Sequence, residues 1–140
     1  MPHDVQLVID AIVKKLETDL TVPVYRNRSR PVDVAPSVAV KMGSDDDTER
    51  GGLSYSFRRL TVYIDLYALA DVDDDLDGLL LNLRQDVETA LPQHQPVPDS
   101  SVQYFESISQ QDPNFNSEAE ESAGTMRLVF PAIYIKRIPQ

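Results

Sequence analysis

The chain contains no cysteine and no tryptophan, and only two histidines and five glycines among its 140 residues. Without cysteine it can form neither disulfides nor a thiolate-ligated metal centre. No apolar run approaches the roughly 20 residues that span a bilayer. The amino terminus, MPHDVQLVID, is acidic and does not resemble a signal peptide. We therefore expect a soluble, cytoplasmic protein that has no contact with membranes.

Positive charge is also scarce. The chain has 13 Lys and Arg and 23 Asp and Glu, which gives a formal net charge of −10. Such a balance repels nucleic acids and anionic membrane surfaces, and it keeps a free subunit soluble. Apolar residues make up 41% of the chain, which is enough for a folded core. At this length the sequence predicts a single domain that spans residues 1–140.

Two amphipathic helices and five strands can be placed along the chain. Apolar residues at three- and four-residue spacing predict helices at about Asp4–Leu20 and Asp73–Leu91. Apolar, turn-bounded segments predict strands at about Val22–Tyr25, Ser37–Met42, Ser54–Leu69, Val102–Gln110 and Thr125–Ile138. The polar, acidic segments Lys41–Gly52 and Gln111–Ala123 are expected to be loops. The order α-β-β-β-α-β-β predicts an α+β fold, a mainly antiparallel sheet with two helices packed on one face.

The central predicted strand is apolar on both of its faces. Because side chains alternate along a strand, Leu60, Val62, Ile64 and Leu66 point to one side, and Tyr55, Phe57, Tyr63, Tyr67 and Leu69 point to the other. Two helices on one face leave the second face uncovered, which predicts that another copy of the chain covers it. The alternatives are that the helices straddle the sheet or that the strands curl over one another.

One motif has the spacing of a metal site. The segment DVDDDLDG places Asp73, Asp75, Asp77 and Gly78 in the D-x-D-x-D-G pattern that opens a calcium loop. Six residues after the glycine, where this loop needs a bidentate glutamate, the chain has Arg84. The leucines that follow Gly78 belong to the predicted helix, and acids suit a helix start. We therefore predict no metal.

No catalytic or cofactor-binding set is recognisable. His3 and His94 lie outside any catalytic motif, and no glycine-rich loop could hold a phosphate. The sequence therefore predicts neither an enzyme nor a cofactor.

Clusters of charge are the candidate contact residues instead. Arginine forks suit carboxylates, and acids in a hairpin can meet a basic neighbour. Two successive arginines in a strand must face opposite sides, so one of them meets water, an acid or a partner. The candidates are Arg26, Arg28, Arg30, Asp45, Asp46, Asp47, Glu49, Arg58 and Arg59.

The order of the segments resembles the tail-terminator family of long-tailed bacteriophages, the minor tail protein U type, and related tail-completion proteins. The similar segments are QLVIDAIVKKLETDL, PSVAVKM with its acidic hairpin, RRLTVYIDLYA, LDGLLLNLRQDVETAL and GTMRLVFPAIYI. The resemblance implies an α+β domain that closes into a hexameric ring, caps the tail tube, ends its polymerisation and forms the head-joining surface.

The same resemblance implies a set of partners and a location. The partners are further copies of the chain, the tail tube protein and head–tail connector proteins, while DNA only passes through the lumen. The protein would assemble in the host cytoplasm and stay at the head-proximal end of the virion tail.

Three other functions fit parts of the sequence. A neck or head-completion protein could share this architecture. A small-ligand-binding α+β domain would have a deep apolar cavity beside His94. An acidic nucleic-acid mimic is disfavoured, because the acids cluster in loops and do not spread over one regular surface.

Overall fold

The computed structural model describes residues 3–26, 36–70, 76–116 and 122–137. Both helices pack on the same face of a mainly antiparallel sheet, which confirms the predicted α+β class. The helices are α1 (Asp4–Asp19) and α2 (Leu76–Ala90). The strands are β1 (Val24–Arg26), β2 (Ser37–Gly51), β3 (Tyr55–Ala70), β4 (Val102–Phe105), β5 (Ser109–Gln110), β6 (Asn114–Asn116) and β7 (Ser122–Arg137).

The two helices form because each presents one apolar stripe to the sheet. In α1 the buried side chains recur every three or four residues: Val5, Val8, Ile9, Ile12 and Leu16. The stripe of α2 consists of Leu76, Leu80, Leu83, Val87 and Ala90. His3 caps α1, because its Nδ1 atom accepts a hydrogen bond from the Val5 backbone N–H at 3.0 Å. This histidine therefore has a structural role.

The centre of the sheet consists of three long strands. The strand order is β1-β2-β3-β7-β4, and β5 and β6 also pair with β7. β3 pairs with β7 in antiparallel register over its whole length, from Tyr55 opposite Arg137 to Ala70 opposite Ser122. β1 runs parallel to β2. The long β3–β7 ladder fixes which side chains share a face.

Two segments that were expected to be loops are partly strands. The acidic segment Lys41–Gly52 continues β2 as far as Gly51, because β3 supplies ladder partners along most of it. Asn114–Asn116, within the expected loop Gln111–Ala123, pairs with β7. Conversely, the expected strand Val102–Gln110 is broken into β4 and β5.

Pro131 lies opposite this break. A proline inside a strand lacks the N–H donor and therefore predicts an edge or a bulge. The Pro131 carbonyl accepts a hydrogen bond from the Glu106 N–H at 2.9 Å. The N–H and C=O of a strand residue point to the same side, so the nitrogen of Pro131 also points toward residues 106–108. These residues lie between β4 and β5 and do not pair with β7, so no ladder hydrogen bond is needed there. The proline therefore costs the sheet no hydrogen bond.

The core lies between the helices and one face of the sheet. Leu60, Val62, Ile64 and Leu66 of β3 are all fully buried there. On β7, Phe130 meets Phe105 edge to face, with ring centroids 5.5 Å apart. The helices therefore pack on the Leu60, Val62, Ile64 and Leu66 side of β3.

Candidate interaction surfaces

The side of the sheet that faces away from the helices, here called the helix-free face, differs from its prediction. Tyr63 and Tyr67 lie on it, as the alternation predicts, but so do Arg59, Asp65 and Arg127. Asp65 and Tyr67 are only 6% and 7% exposed within the protomer. The predicted apolar residues of β3 do share this face, together with Val129, Ile133 and Ile135 of β7, but charged side chains lie among them at its centre.

Tyrosines and arginines are frequent on the helix-free face, where they lie among apolar residues such as Phe57, Ile133 and Ile135. The strand register places five of the chain's six tyrosines on it, while Tyr134 points into the core. We define the tyrosine–arginine face as Tyr25, Arg50, Tyr55, Arg59, Tyr63, Tyr67, Tyr104, Arg127 and Arg137. Arg50, Tyr55 and Arg137 are exposed, and most of the others are half-buried.

Asp65 is the centre of an ion-pair network on this face. Arg127 donates to its two carboxylate oxygens from Nε and Nη2, at 2.8 and 3.1 Å, and Nζ of Lys41 lies 2.8 Å from Oδ2. The Arg127 guanidinium also lies over the Tyr63 ring, 4.6 Å from its centroid. Burial alone would raise the pKa of Asp65, but the hydrogen bonds from Arg127 and Lys41 outweigh it and lower that pKa.

A second ion pair fixes Arg59 on the same face. Its Nε and Nη2 atoms donate to the Glu106 carboxylate at 2.5 and 3.2 Å. This fork lowers the pKa of Glu106 although partial burial opposes the shift. Asp46 lies opposite Arg59 in the ladder and adds favourable charge. Arg58 points to the other side of the sheet, as predicted for two successive arginines.

The outer half of the β2–β3 hairpin, residues 45–60, is here called the arm. Two residues of β2, Gly43 and Ser44, face the single residue Thr61, and this one extra residue shifts the register at the base of the arm. A Cβ atom on Gly43 would lie 2.8 Å from the Thr61 carbonyl oxygen, so this bulge requires glycine. The shift turns Asp45 toward the side of the sheet on which the helices lie.

Asp45 ties the base of the arm to the body. Nε of Arg58 lies 3.3 and 3.1 Å from its two carboxylate oxygens, and the Tyr134 hydroxyl donates to Oδ1 at 2.9 Å. Tyr134 is fully buried, and this burial together with the hydrogen bond to Asp45 raises the pKa of its phenol. Asp45 and Arg58 therefore have partners inside the protomer, which leaves less of their charge for a contact.

The other predicted contact residues differ in what surrounds them. Arg26 forms an ion pair with Asp10 of α1, whereas Arg28 and Arg30 lie outside the described residues. The remaining candidates, Asp46, Asp47 and Glu49, are exposed on the arm. Beyond them, Leu53 at the tip of the arm is 98% exposed. Of the described candidates, these three acids and Arg26 are exposed, whereas Asp45, Arg58 and Arg59 are half-buried.

Two cavities lie on opposite sides of the sheet. One of about 480 Å³, between α1 and β2, is lined by His3, Val5, Gln6, Ile9, Arg26, Met42 and Asp45. The other, of about 400 Å³, lies on the helix-free face beside Asp65 and Arg127. Neither adjoins His94, whose backbone N–H donates to the Phe105 carbonyl at 2.9 Å. These cavities therefore do not supply the apolar pocket beside His94 that a ligand-binding domain would have.

The described part of the chain contains no group of three or more His, Asp or Glu side chains that could hold a metal ion. Of the calcium-like motif, Asp77 and Gly78 are described and both belong to α2, while Asp73 and Asp75 lie outside the described residues. Arg84, at the position of the missing ligand, pairs with Glu88 at 3.2 Å. Neither α1 nor α2 is long and apolar enough to cross a membrane.

These features define an α+β domain with helices on one side of its sheet and a tyrosine- and arginine-rich surface on the other. No known protein family matches the chain, and no curated protein matches it either. Among solved structures, it is similar to a chain from the virion of a native gene transfer agent (GTA) particle. The TM-score is 0.54 at 11% sequence identity, and the match covers 95% of this chain and 99% of that chain. At this identity the similarity establishes a shared fold.

Proposed function

We propose that the chain is a structural protein of a phage-like virion. The observation that carries this proposal is the end-to-end match with the gene transfer agent chain, 99% of which is covered by this fold. The virion chain is therefore almost entirely this domain, not a larger protein that contains it. A non-enzymatic role is part of this proposal, and the virion neighbour supports it.

Within this class we propose a tail terminator or tail-completion protein, a single domain over residues 1–140. The order of segments resembles that family, and the exposed acids of the arm and the tyrosine–arginine face offer candidate contact surfaces. The subunits would form a hexameric ring that caps the tail tube, ends its polymerisation and joins the head. Further copies, the tail tube protein and the connector proteins are the proposed partners, and DNA would only pass through the lumen.

Electron microscopy of particles made without the gene tests this function. We expect tails of uncontrolled length that fail to join heads, and a tagged copy at the head-proximal end of the tail in complemented particles. A tag located in the connector would favour the alternative of a neck or head-completion protein. Normal tails and heads joined in the absence of the protein would reject both roles.

A further inference from the structure

The two most exposed large apolar side chains of the described residues lie near opposite ends of the arm. Leu53, at its tip, is 98% exposed, and Met42, just before its base, is 60% exposed. A single apolar side chain at a surface is common, so exposure alone assigns neither of them to a contact. Their surroundings, a hairpin turn for Leu53 and a cavity wall for Met42, make them candidates for one shared contact.

Met42 belongs to the cavity between α1 and β2. It stands opposite Val62 in the β2–β3 ladder and therefore points to the helix side of the sheet, but it is exposed where Val62 is buried. Val5 and Ile9 of α1 line the same cavity of about 480 Å³, and its lining is mainly apolar. The space is ample for one leucine side chain. An aliphatic side chain seated in such a pocket is a common anchor of protein interfaces.

The tip of the arm presents Leu53 on an ordered frame. Thr48 and Glu49 form a bulge in β2 just before the tip. The Thr48 hydroxyl donates to the Phe57 carbonyl at 2.6 Å, and the Glu49 N–H donates to Oδ1 of Asp47 at 2.9 Å. Glu49 has a φ of +63°, a left-handed conformation that is costly for a glutamate. A bulge fixed in this way reduces the conformational entropy that the tip loses when it binds.

The tip does not reach the cavity of its own protomer. Asp45 lines that cavity and stands opposite Leu60 at the base of the arm. Tyr55, at the other end of the arm, is five residues from Leu60 on β3, or roughly 17 Å at a rise of about 3.4 Å per residue. A contact between Leu53 and Met42 therefore requires two copies of the chain.

The charges beside the two surfaces favour this pairing over a contact between two tips. Asp47 and Glu49 are exposed on the arm, whereas Arg26 lines the cavity and is also exposed. The ion pair of Arg26 with Asp10 lies at the surface, so a second carboxylate can approach this arginine. Asp45, the acid of the cavity lining, is already held inside its protomer. Two tips placed together would bring like charges together.

We infer that Leu53 at the tip of one copy's arm inserts into the cavity between α1 and β2 of a second copy, against Met42. One contact then removes both of these apolar side chains from water. The contact is heterologous, because each copy offers a tip on one side and a cavity on the other, and such contacts build rings or filaments. The inference deepens the proposed function and rests on its assumption of self-assembly.

Disulfide trapping tests this contact without interference, because the chain has no cysteine of its own. Ser54→Cys lies beside Leu53, and Gln6→Cys lies in the cavity lining, so both apolar side chains are kept. The two variants are mixed at high concentration and oxidised, and mass spectrometry identifies the products. A disulfide forms only when two Cα atoms come within about 7 Å. We expect the mixed disulfide in several-fold excess over a control mixture with Gln85→Cys, an exposed glutamine of α2.

Charged substitutions show whether the apolar side chains drive the trapping. Adding Leu53→Asp to the Ser54→Cys variant should lower the yield of mixed disulfide several-fold. Adding Leu81→Asp instead makes the same change of net charge at an exposed leucine of α2 and should leave the yield unchanged. Circular dichroism checks that each variant is folded. Equal yields from the two charged variants would overturn the contact.

A chain that carries both Gln6→Cys and Ser54→Cys tests the heterologous geometry. Oxidation should give a series of covalent oligomers, because each copy has one free tip and one free cavity. An internal disulfide as the main product would overturn the inference, since it would show that the tip reaches its own cavity. With the single variants, a dominant disulfide between two copies of Ser54→Cys would overturn it in favour of a two-fold contact between tips.

A partner other than a second copy would also be visible. Leu53→Asp could lower the yield of completed particles while the purified chain gives no excess of mixed disulfide over the Gln85→Cys control. This combination would overturn the contact between copies and assign the tip to another virion protein.

The trapping experiment uses the purified chain, so its result is separate from tail assembly. A clear excess of mixed disulfide, combined with normal particles in the absence of the gene, would keep the contact and reject the terminator role. No excess, combined with aberrant tails in the absence of the gene, would keep the role and reject the contact.

Discussion

The two faces of one sheet carry different tasks in this protein. The strands β3 and β7 contribute to both faces, because successive side chains point in opposite directions. On the helix side, Leu60, Ile64 and Phe130 are fully buried. On the helix-free side, Arg59 and Tyr63 stay half-exposed, next to paired carboxylates. The comparison indicates that the first face supplies most of the buried apolar surface, while the second keeps charged and aromatic side chains partly exposed.

The largest effect on stability is expected from the helix side. Phe130→Ala should lower the free energy of unfolding by about 4 kcal/mol, because it leaves a cavity beside Phe105 in a closed core. Tyr63 belongs to the next residue pair of the β3–β7 ladder but points to the helix-free face. Tyr63→Ala should lower the free energy of unfolding by about 1 kcal/mol, because packing and the contact with Arg127 are lost. Urea unfolding followed by circular dichroism measures both. Equal losses would contradict the division of tasks.

A smaller effect is expected from the ion-pair network. Asp65→Ala should lower the free energy of unfolding by about 2 kcal/mol, because it leaves Lys41 and Arg127 without their shared carboxylate. The loss is smaller than for a fully buried ion pair, because both cations are partly exposed. Glu106→Ala, which removes the partner of the more exposed Arg59, should cost less than about 1 kcal/mol. The same urea titrations give both values. A Glu106→Ala loss larger than that of Asp65→Ala would show that the network is not centred on Asp65.

The Asp65 network should also show in acid. Because the pKa of Asp65 is lowered in the folded state, its contribution is fully present above the ordinary carboxyl pKa of about 4 and is lost as pH falls through the depressed native value. The stability difference between the wild type and Asp65→Asn should therefore be constant above that pH and shrink below it. Urea midpoints measured from pH 6 to pH 2.5 test this. A difference that grows on acidification would reverse the sign of the argument.

Local periodicity predicted the helices and the long strands, but not what lies across the sheet. The acids of the arm suggested a loop, whereas pairing with β3, a non-local interaction, extends β2 to Gly51. Tyr63 and Tyr67 predicted an apolar face. That prediction did not include the ion pair between Asp65, which lies between the two tyrosines, and Arg127, which is 62 residues away in sequence. Strand alternation did place Arg59 and Asp65 on that face, so the charge pattern was a readable signal. The choice of contact residues stays a prediction.

The base of the arm allows a further comparison within one cluster. Tyr134→Phe should lower stability by about 1.5 kcal/mol, because the buried hydroxyl that donates to Asp45 is lost while its ring still fills the core. Tyr104→Phe, on the helix-free face, keeps the ring and should change stability by less than about 0.5 kcal/mol. Thermal unfolding of the two variants separates them. Equal shifts would mean that Asp45 does not depend on this hydrogen bond.

The most specific effect on assembly is expected from the exposed acids of the arm. Asp46→Lys with Asp47→Lys should lower the free energy of unfolding by about 1 kcal/mol, because both side chains lie at the surface but stand opposite Arg59 and Arg58 in the ladder. Asp45 is left unchanged, since Arg58 and Tyr134 hold it.

If the arm contacts a neighbour or the tail tube, this double variant should lower the yield of completed particles in a complementation assay. A matched control, Glu17→Lys with Asp112→Lys, makes the same change of net charge at exposed positions outside the arm. Equal yields from the two variants would mean that net charge matters and the arm does not. A normal yield from the arm variant would remove Asp46 and Asp47 from the list of contact residues and leave Leu53 and the tyrosine–arginine face as the remaining candidates.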